Sequence, residues 1–120
     1  MEIRYTSEFK RNVRQLAKKY RHIRSDIEPV IERLQVGEML GDQIPRIEHI
    51  LYKLRVRNSD VQRGKSGGYR LIYCLQNTEQ IILVTLYSKS EQDNFNITQI
   101  RSMLDEMSES KNNTGNDDNL

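Results

Sequence analysis

The sequence predicts an α+β fold in which an N-terminal helical hairpin packs on a small, mostly antiparallel sheet, followed by a short C-terminal helix. Two observations carry this. Between residues 7 and 36 apolar residues recur at helical spacing, and between 51 and 87 three segments alternate or run apolar as strands do. A length of 120 residues suits one domain with a two-layer core.

Glu2–Tyr5 is a short first strand. Ser7 caps a helix in which Phe9, Val13, Leu16, Ala17 and Tyr20 share one face, with Lys10, Arg11, Arg14, Lys18 and Arg21 on the other. Ser25-Asp26-Ile27-Glu28 reads as a capping box that starts a second helix. Ile27, Val30, Ile31 and Leu34 form its stripe, and Pro29 falls in its first turn, where amides lack intrahelical partners. Gly37 ends it, and residues 41–45 form a connecting loop. In Leu51–Arg57, apolar Tyr52, Leu54 and Val56 alternate with Lys53, Arg55 and Arg57. Residues 58–68 are polar and end in Gly-Gly, a loop. Tyr69–Leu75 is the next strand, residues 76–79 a turn, and Ile81–Tyr87 a strand apolar on both faces, hence central. Asn96 caps a last short helix with Ile97, Ile100, Leu104 and Met107 on one side. The order is β-α-α-β-β-β-α, with the sheet face opposite the hairpin left partly open. Residues 108–120, rich in Asn, Asp and Ser, read as a disordered tail, which bounds the domain at 1–107.

Composition narrows the function. No apolar run approaches the roughly 20 residues of a membrane helix, and the N-terminus lacks the apolar core of a signal peptide. Cys74 is the single cysteine, so no disulfide framework forms, and a reducing cytoplasm is the expected location. Net charge is +2, but it is unevenly spread. Residues 8–24 hold seven Lys/Arg and one acid, residues 46–70 seven against two, and residues 105–120 five acids and one Lys. Two basic blocks point to an anionic partner.

Period-2 alternation sets Lys53, Arg55 and Arg57 on one side of a strand. Arg70 shares a face with Ile72 and Cys74, and Tyr87 and Lys89 share one with Thr85. If these faces coincide, Lys and Arg side chains surround an exposed tyrosine. Arg63 and Lys65 add cations from the loop. A single outward lysine only solvates a surface. Three in a row repel each other and cost stability without an anion. Cations with an aromatic ring suit single-stranded RNA, and no recognition helix for a DNA major groove is evident. His22 and His49 lack metal-ligand spacing, and Asp60, Glu91 and Asp93 form no two-metal pattern. No phosphate loop, dinucleotide fingerprint or serine-nucleophile elbow occurs. The expected site uses no metal and no cofactor.

The segments Tyr52-Lys53-Leu54-Arg55-Val56, Gly64-Lys65-Ser66-Gly67-Gly68, Tyr69-Arg70-Leu71-Ile72-Tyr73 and Leu86-Tyr87-Ser88-Lys89-Ser90-Glu91 resemble the RelE/ParE toxin superfamily, specifically its HigB-like branch. The resemblance covers about residues 2–107. It implies a RelE-like fold and a toxin of a type II toxin–antitoxin system that cleaves mRNA in the ribosomal A site. It also implies the ribosome and mRNA as partners, a cognate antitoxin that blocks the site, and operator DNA bound only through the antitoxin complex. On this reading Lys53, Arg55, Arg70, Tyr87 and Lys89 are catalytic, and Arg57, Arg63 and Lys65 bind RNA. Arg70 stabilises the phosphate, Lys53 and Arg55 hold the RNA or orient the hydroxyl, Tyr87 stacks or moves a proton, and Lys89 neutralises the leaving group. Lys and Tyr ordinarily titrate near roughly 10, so a base among them needs a shifted value. The alternatives are a ParE-like gyrase inhibitor on the same fold, which does not need the cationic cluster, and a non-catalytic RNA-binding module.

Overall fold

The computed structural model describes residues 1–45, 47–61, 68–92 and 94–109. The elements are β1 (Glu2–Tyr5), α1 (Ser7–Ala17), α2 (Ile23–Gln35), β2 (Asp42–Ile44), β3 (Leu51–Val56), β4 (Tyr69–Asn77), β5 (Gln80–Ser88) and α3 (Ile97–Glu109). The strands form one sheet in the order β1-β5-β4-β3-β2. β1 runs parallel to β5, and the other three pairings are antiparallel. The α+β class and its mostly antiparallel sheet are as the sequence predicts.

α1 buries Phe9, Val13 and Leu16 at helical spacing. Its cap is Thr6 and not Ser7. Thr6 still pairs with the sheet, its N–H donating to the Leu83 carbonyl at 3.1 Å. Its hydroxyl then accepts from Phe9 N at 2.9 Å and donates to the Val84 carbonyl at 2.7 Å. One buried side chain thus ends the strand and starts the helix.

α2 begins at Ile23, two residues before the expected capping box. Ile23 is fully buried, so packing extends the helix back to it. The Ser25 hydroxyl turns back to the His22 carbonyl at 2.9 Å, and Asp26 accepts from Ser59 N and Oγ at 2.9 and 3.1 Å. Pro29 therefore lies inside the helix and not in its first turn. Lacking an N–H, it leaves the Ser25 carbonyl without its usual helical donor.

Three further differences concern the sheet. Residues 42–44, read as loop, pair with Leu51–Lys53 as β2. Gly41 makes this possible: at φ +87° it sits so close to β3 that a Cβ would collide with the Lys53 carbonyl. The β4–β5 turn tightens to Thr78-Glu79, because Asn77 pairs with Gln80 and its Oδ1 accepts from Glu79 N at 2.8 Å. β5 is interior as expected, although β4 holds the middle position.

The apolar run of β5 serves two cores. Ile81 and Leu83 join Leu71, Tyr73, Phe9 and Ile27 beneath the hairpin. Ile82 and Val84 join Leu51, Ile72, Cys74, Ile100 and Leu104 on the other face. The C-terminal helix is 13 residues long, as long as α2. It is capped as expected by Asn96, whose Oδ1 accepts from Gln99 N at 3.1 Å. It covers part of the face expected to be open, so the domain has three layers at β5, with α1 on one face and α3 on the other. The predicted tail beyond 109 lies outside the described residues.

Candidate nucleic-acid interface

The β3–β4–β5 register builds rows across the face that carries α3. Leu51, Cys74 and Ile82 form an apolar row, Lys53, Ile72 and Thr85 the next, and Arg55, Arg70 and Tyr87 the one beyond. Ile100 and Leu104 pack with the apolar row. The strand ends that carry the cations extend past that cluster. Along β3, Leu51 is buried while Lys53 and Arg55 are exposed.

Arg55 and Arg70 are directly opposed across β3–β4. Opposed like charges destabilise a sheet, and a bound anion relieves that cost. Arg70 is half-buried, and one guanidinium N–H donates to the Tyr69 carbonyl at 3.3 Å. Tyr69 and Tyr73 on either side of this segment point into the hairpin core. Lys53 holds its Nζ 5.7 Å from the centroid of the Phe95 ring, just before α3.

Tyr87 departs from expectation. It is 5% exposed, not an open ring. Burial pushes its phenol above the ordinary tyrosine value, and the neighbouring Arg70 guanidinium opposes that rise. A neutral, hydrogen-donating phenol is therefore favoured over a phenolate base or a stacking surface.

Lys89 lies one residue past β5 and is half-buried, its backbone N–H donating to the Gly68 carbonyl at 2.9 Å. Gly68 has φ +56°, and a Cβ there would collide with the Val56 carbonyl. This close approach brings the ends of β3, β4 and β5 together. Arg57, one residue past β3, is exposed. Arg63 and Lys65 lie outside the described residues, as does Asp93. The segment leading towards Arg63 is anchored to the hairpin. The Asp60 carboxylate accepts from His22 N at 2.9 Å and sits 2.7 Å from His22 Nδ1, bonds that hold its carboxyl below the usual range.

The remaining sequence candidates lie elsewhere. Glu91 accepts from Lys19 Nζ at 2.9 Å and ties the end of β5 to the α1–α2 turn. His49 faces α3, its Nε2 3.8 Å from Asp105. The Cys74 thiol is buried and pushed up to about 11 by desolvation, which makes it inert. Among the described residues, no three His, Cys, Asp or Glu side chains converge.

Two residues near the row were missed. Asp42 of β2 is opposite Lys53, and Ile44, two residues on, packs with the α3-side core, so Asp42 shares the cationic face. Its position was invisible while β2 was read as loop. Phe95 is the aromatic of an otherwise polar stretch, a signal the sequence did contain.

The family model describing the RelE toxin of the RelE/RelB toxin–antitoxin system matches residues 3–117, nearly the whole chain and past the expected domain end at Met107. No curated protein matches the chain at a significant level.

Proposed function

This chain belongs to the RelE toxin family, and we propose that it is a HigB-like ribosome-dependent endoribonuclease that cleaves mRNA in the A site. Family membership makes it a toxin of a toxin–antitoxin system with an antitoxin partner. The observation that carries the finer reading is the cross-strand row Arg55–Arg70–Tyr87, flanked by Lys53, on a sheet face otherwise packed against a helix. Two opposed guanidiniums fit a phosphate, and a buried neutral phenol supplies a proton beside it. A gyrase inhibitor has no need of such a row.

The 2′-OH attacks the adjacent phosphorus, a P–O bond to the 5′-oxygen breaks, and a cyclic phosphate forms. The hydroxyl proton leaves to a base, and a proton reaches the departing oxygen. Arg70 and Arg55 stabilise the charge that grows on the phosphoryl oxygens. Tyr87 donates to the leaving oxygen, with Lys89 neutralising charge there. Asp42, a carboxylate beside Lys53, takes the hydroxyl proton. Lys53, Arg57, Arg63 and Lys65 hold the RNA backbone. No strong acid–base pair operates, so the ribosome supplies substrate positioning. The antitoxin covers the row, the pair meets operator DNA through the antitoxin, and the cytoplasm is the working compartment.

Arg70→Ala is expected to lower mRNA cleavage in a translation extract by about 10²–10³-fold, the loss from removing one charge-stabilising donor. Tyr87→Phe should lower it by about 10²-fold or more, the loss of a general acid. Wild-type cleavage by both variants rejects the site. Inhibited supercoiling with intact translation would favour the gyrase reading instead.

A further inference from the structure

We propose that a bulge in β5, held by the Asn12 side chain, turns Tyr87 to the cleavage site, and that Asn12 is a positioning residue acting through Tyr87, an inference that rests on the RNA reading above. Side chains in a regular strand switch faces at every residue. In β5 the alternation breaks. Ile81 and Leu83 enter the hairpin core, and Ile82 and Val84 the α3-side core. Strict alternation would then send Leu86 to the α3 side and Tyr87 under the hairpin. Instead Leu86 lies in the hairpin core, and Tyr87 stands opposite Arg70 in the cationic row.

The pairing locates the change. Ile72 is opposite Thr85 and Tyr73 opposite Leu83, so Val84 is the extra residue of a bulge. A bulge leaves backbone groups unpaired and re-aims the side chains that follow it. The neighbouring strand does not satisfy them, because β1 ends at Tyr5, opposite Leu83. Two side chains from the start of the hairpin take its place. The Thr6 hydroxyl donates to the Val84 carbonyl at 2.7 Å. Asn12 Oδ1 accepts from Thr85 Oγ1 and from Leu86 N, both at 3.0 Å, on the two residues just before Tyr87. Leu86 N can only donate, which fixes the amide oxygen towards the strand. Asn12 Nδ2 then donates to Glu8 Oε2 at 3.1 Å, one turn back along α1. Burial of Leu86 selects the face, since apolar burial has no direction, and the directional bonds to Asn12 fix the position.

The test measures mRNA cleavage in a translation extract and single-stranded RNA affinity at low salt, on full-chain variants with melting temperatures near wild type. Asn12→Leu keeps the size and removes the acceptor. It should cut cleavage by about 10- to 10²-fold, the cost of a misplaced group, with RNA affinity unchanged. In a Tyr87→Phe background it should cost nothing further, because both changes act on one proton transfer. Asn12→Asp combined with Glu8→Gln keeps the acceptor, reverses the bond along α1, and should restore cleavage. Thr85→Val, which removes one donor to the same oxygen, repeats the test if Asn12→Leu does not fold. A loss that persists undiminished in the Tyr87→Phe background, affinity that falls with the rate, or a paired variant as slow as Asn12→Leu overturns the inference. Wild-type cleavage by Asn12→Leu, or by Thr85→Val in its place, does the same while a slow Tyr87→Phe leaves the site standing. Wild-type cleavage by Tyr87→Phe sinks this inference together with the proton donor of the proposed site.

Discussion

At the residue scale, Arg55 and Arg70 explain each other. Neither guanidinium gains from facing another across a sheet, and under the proposed function a bound phosphate relieves that cost. Tyr87 ends the row as a buried phenol whose titration desolvation raises and the Arg70 guanidinium opposes. The proposed base is therefore another group, and the Asp42 carboxylate lies beside Lys53. Asp42→Asn should therefore reduce cleavage by about 10²–10⁴-fold while leaving RNA affinity close to wild type. Affinity that falls with the rate would make Asp42 a structural neighbour of Lys53, not a base. In the Tyr69–Tyr73 segment, the two tyrosines feed the hairpin core, and Arg70 between them faces the site. Its pattern of alternation was legible because strand side chains switch faces at every residue.

At the element scale, the junction of β1 and α1 depends on Thr6. Its hydroxyl caps the helix and also satisfies the Val84 carbonyl inside the sheet. Thr6→Ala should cost about 2 kcal/mol or more in denaturant unfolding, from the lost cap and the stranded carbonyl. Thr6→Ser should recover most of it; equal loss in both variants would assign the effect to packing of the methyl group. The start of α1 was misplaced by one residue in sequence because Thr6 and Ser7 are both good caps, and only the sheet contact distinguishes them. The start of α2 moved for a related reason: burial of Ile23 outweighs the local capping signal at Ser25. β2 left no sequence signal, since three residues cannot show a period.

At the scale of the whole molecule, a net charge of +2 hides a directed field. On the hairpin, Arg11 pairs with Glu8 and Lys19 with Glu91, so part of that basic block is neutralised within the protein. The site block is drawn from strands that meet only in the fold. If Lys53, Arg55, Arg70 and Lys89 each contact one phosphate, the log–log salt slope for single-stranded RNA should be about −2.8, at about −0.7 per contact. Arg55→Ala should make it shallower by about 0.7. An unchanged slope would remove Arg55 from the phosphate contacts.

The sequence by itself determined the class of fold, the order of the main elements, the outward alternation of Lys53 and Arg55, and the family resemblance. These are local patterns, written in the spacing of apolar residues along a helix or strand. The tertiary structure decided the rest. Strand register set Arg55 opposite Arg70 and Tyr87, and brought Asp42 beside Lys53. The docking of α3 divided one sheet face into a packed half and a cationic half, and brought Phe95 to the boundary between them. Packing buried the ring of Tyr87 and so changed the chemistry available to it. None of these is encoded in any one segment, because each depends on which residues, distant in sequence, meet across the sheet.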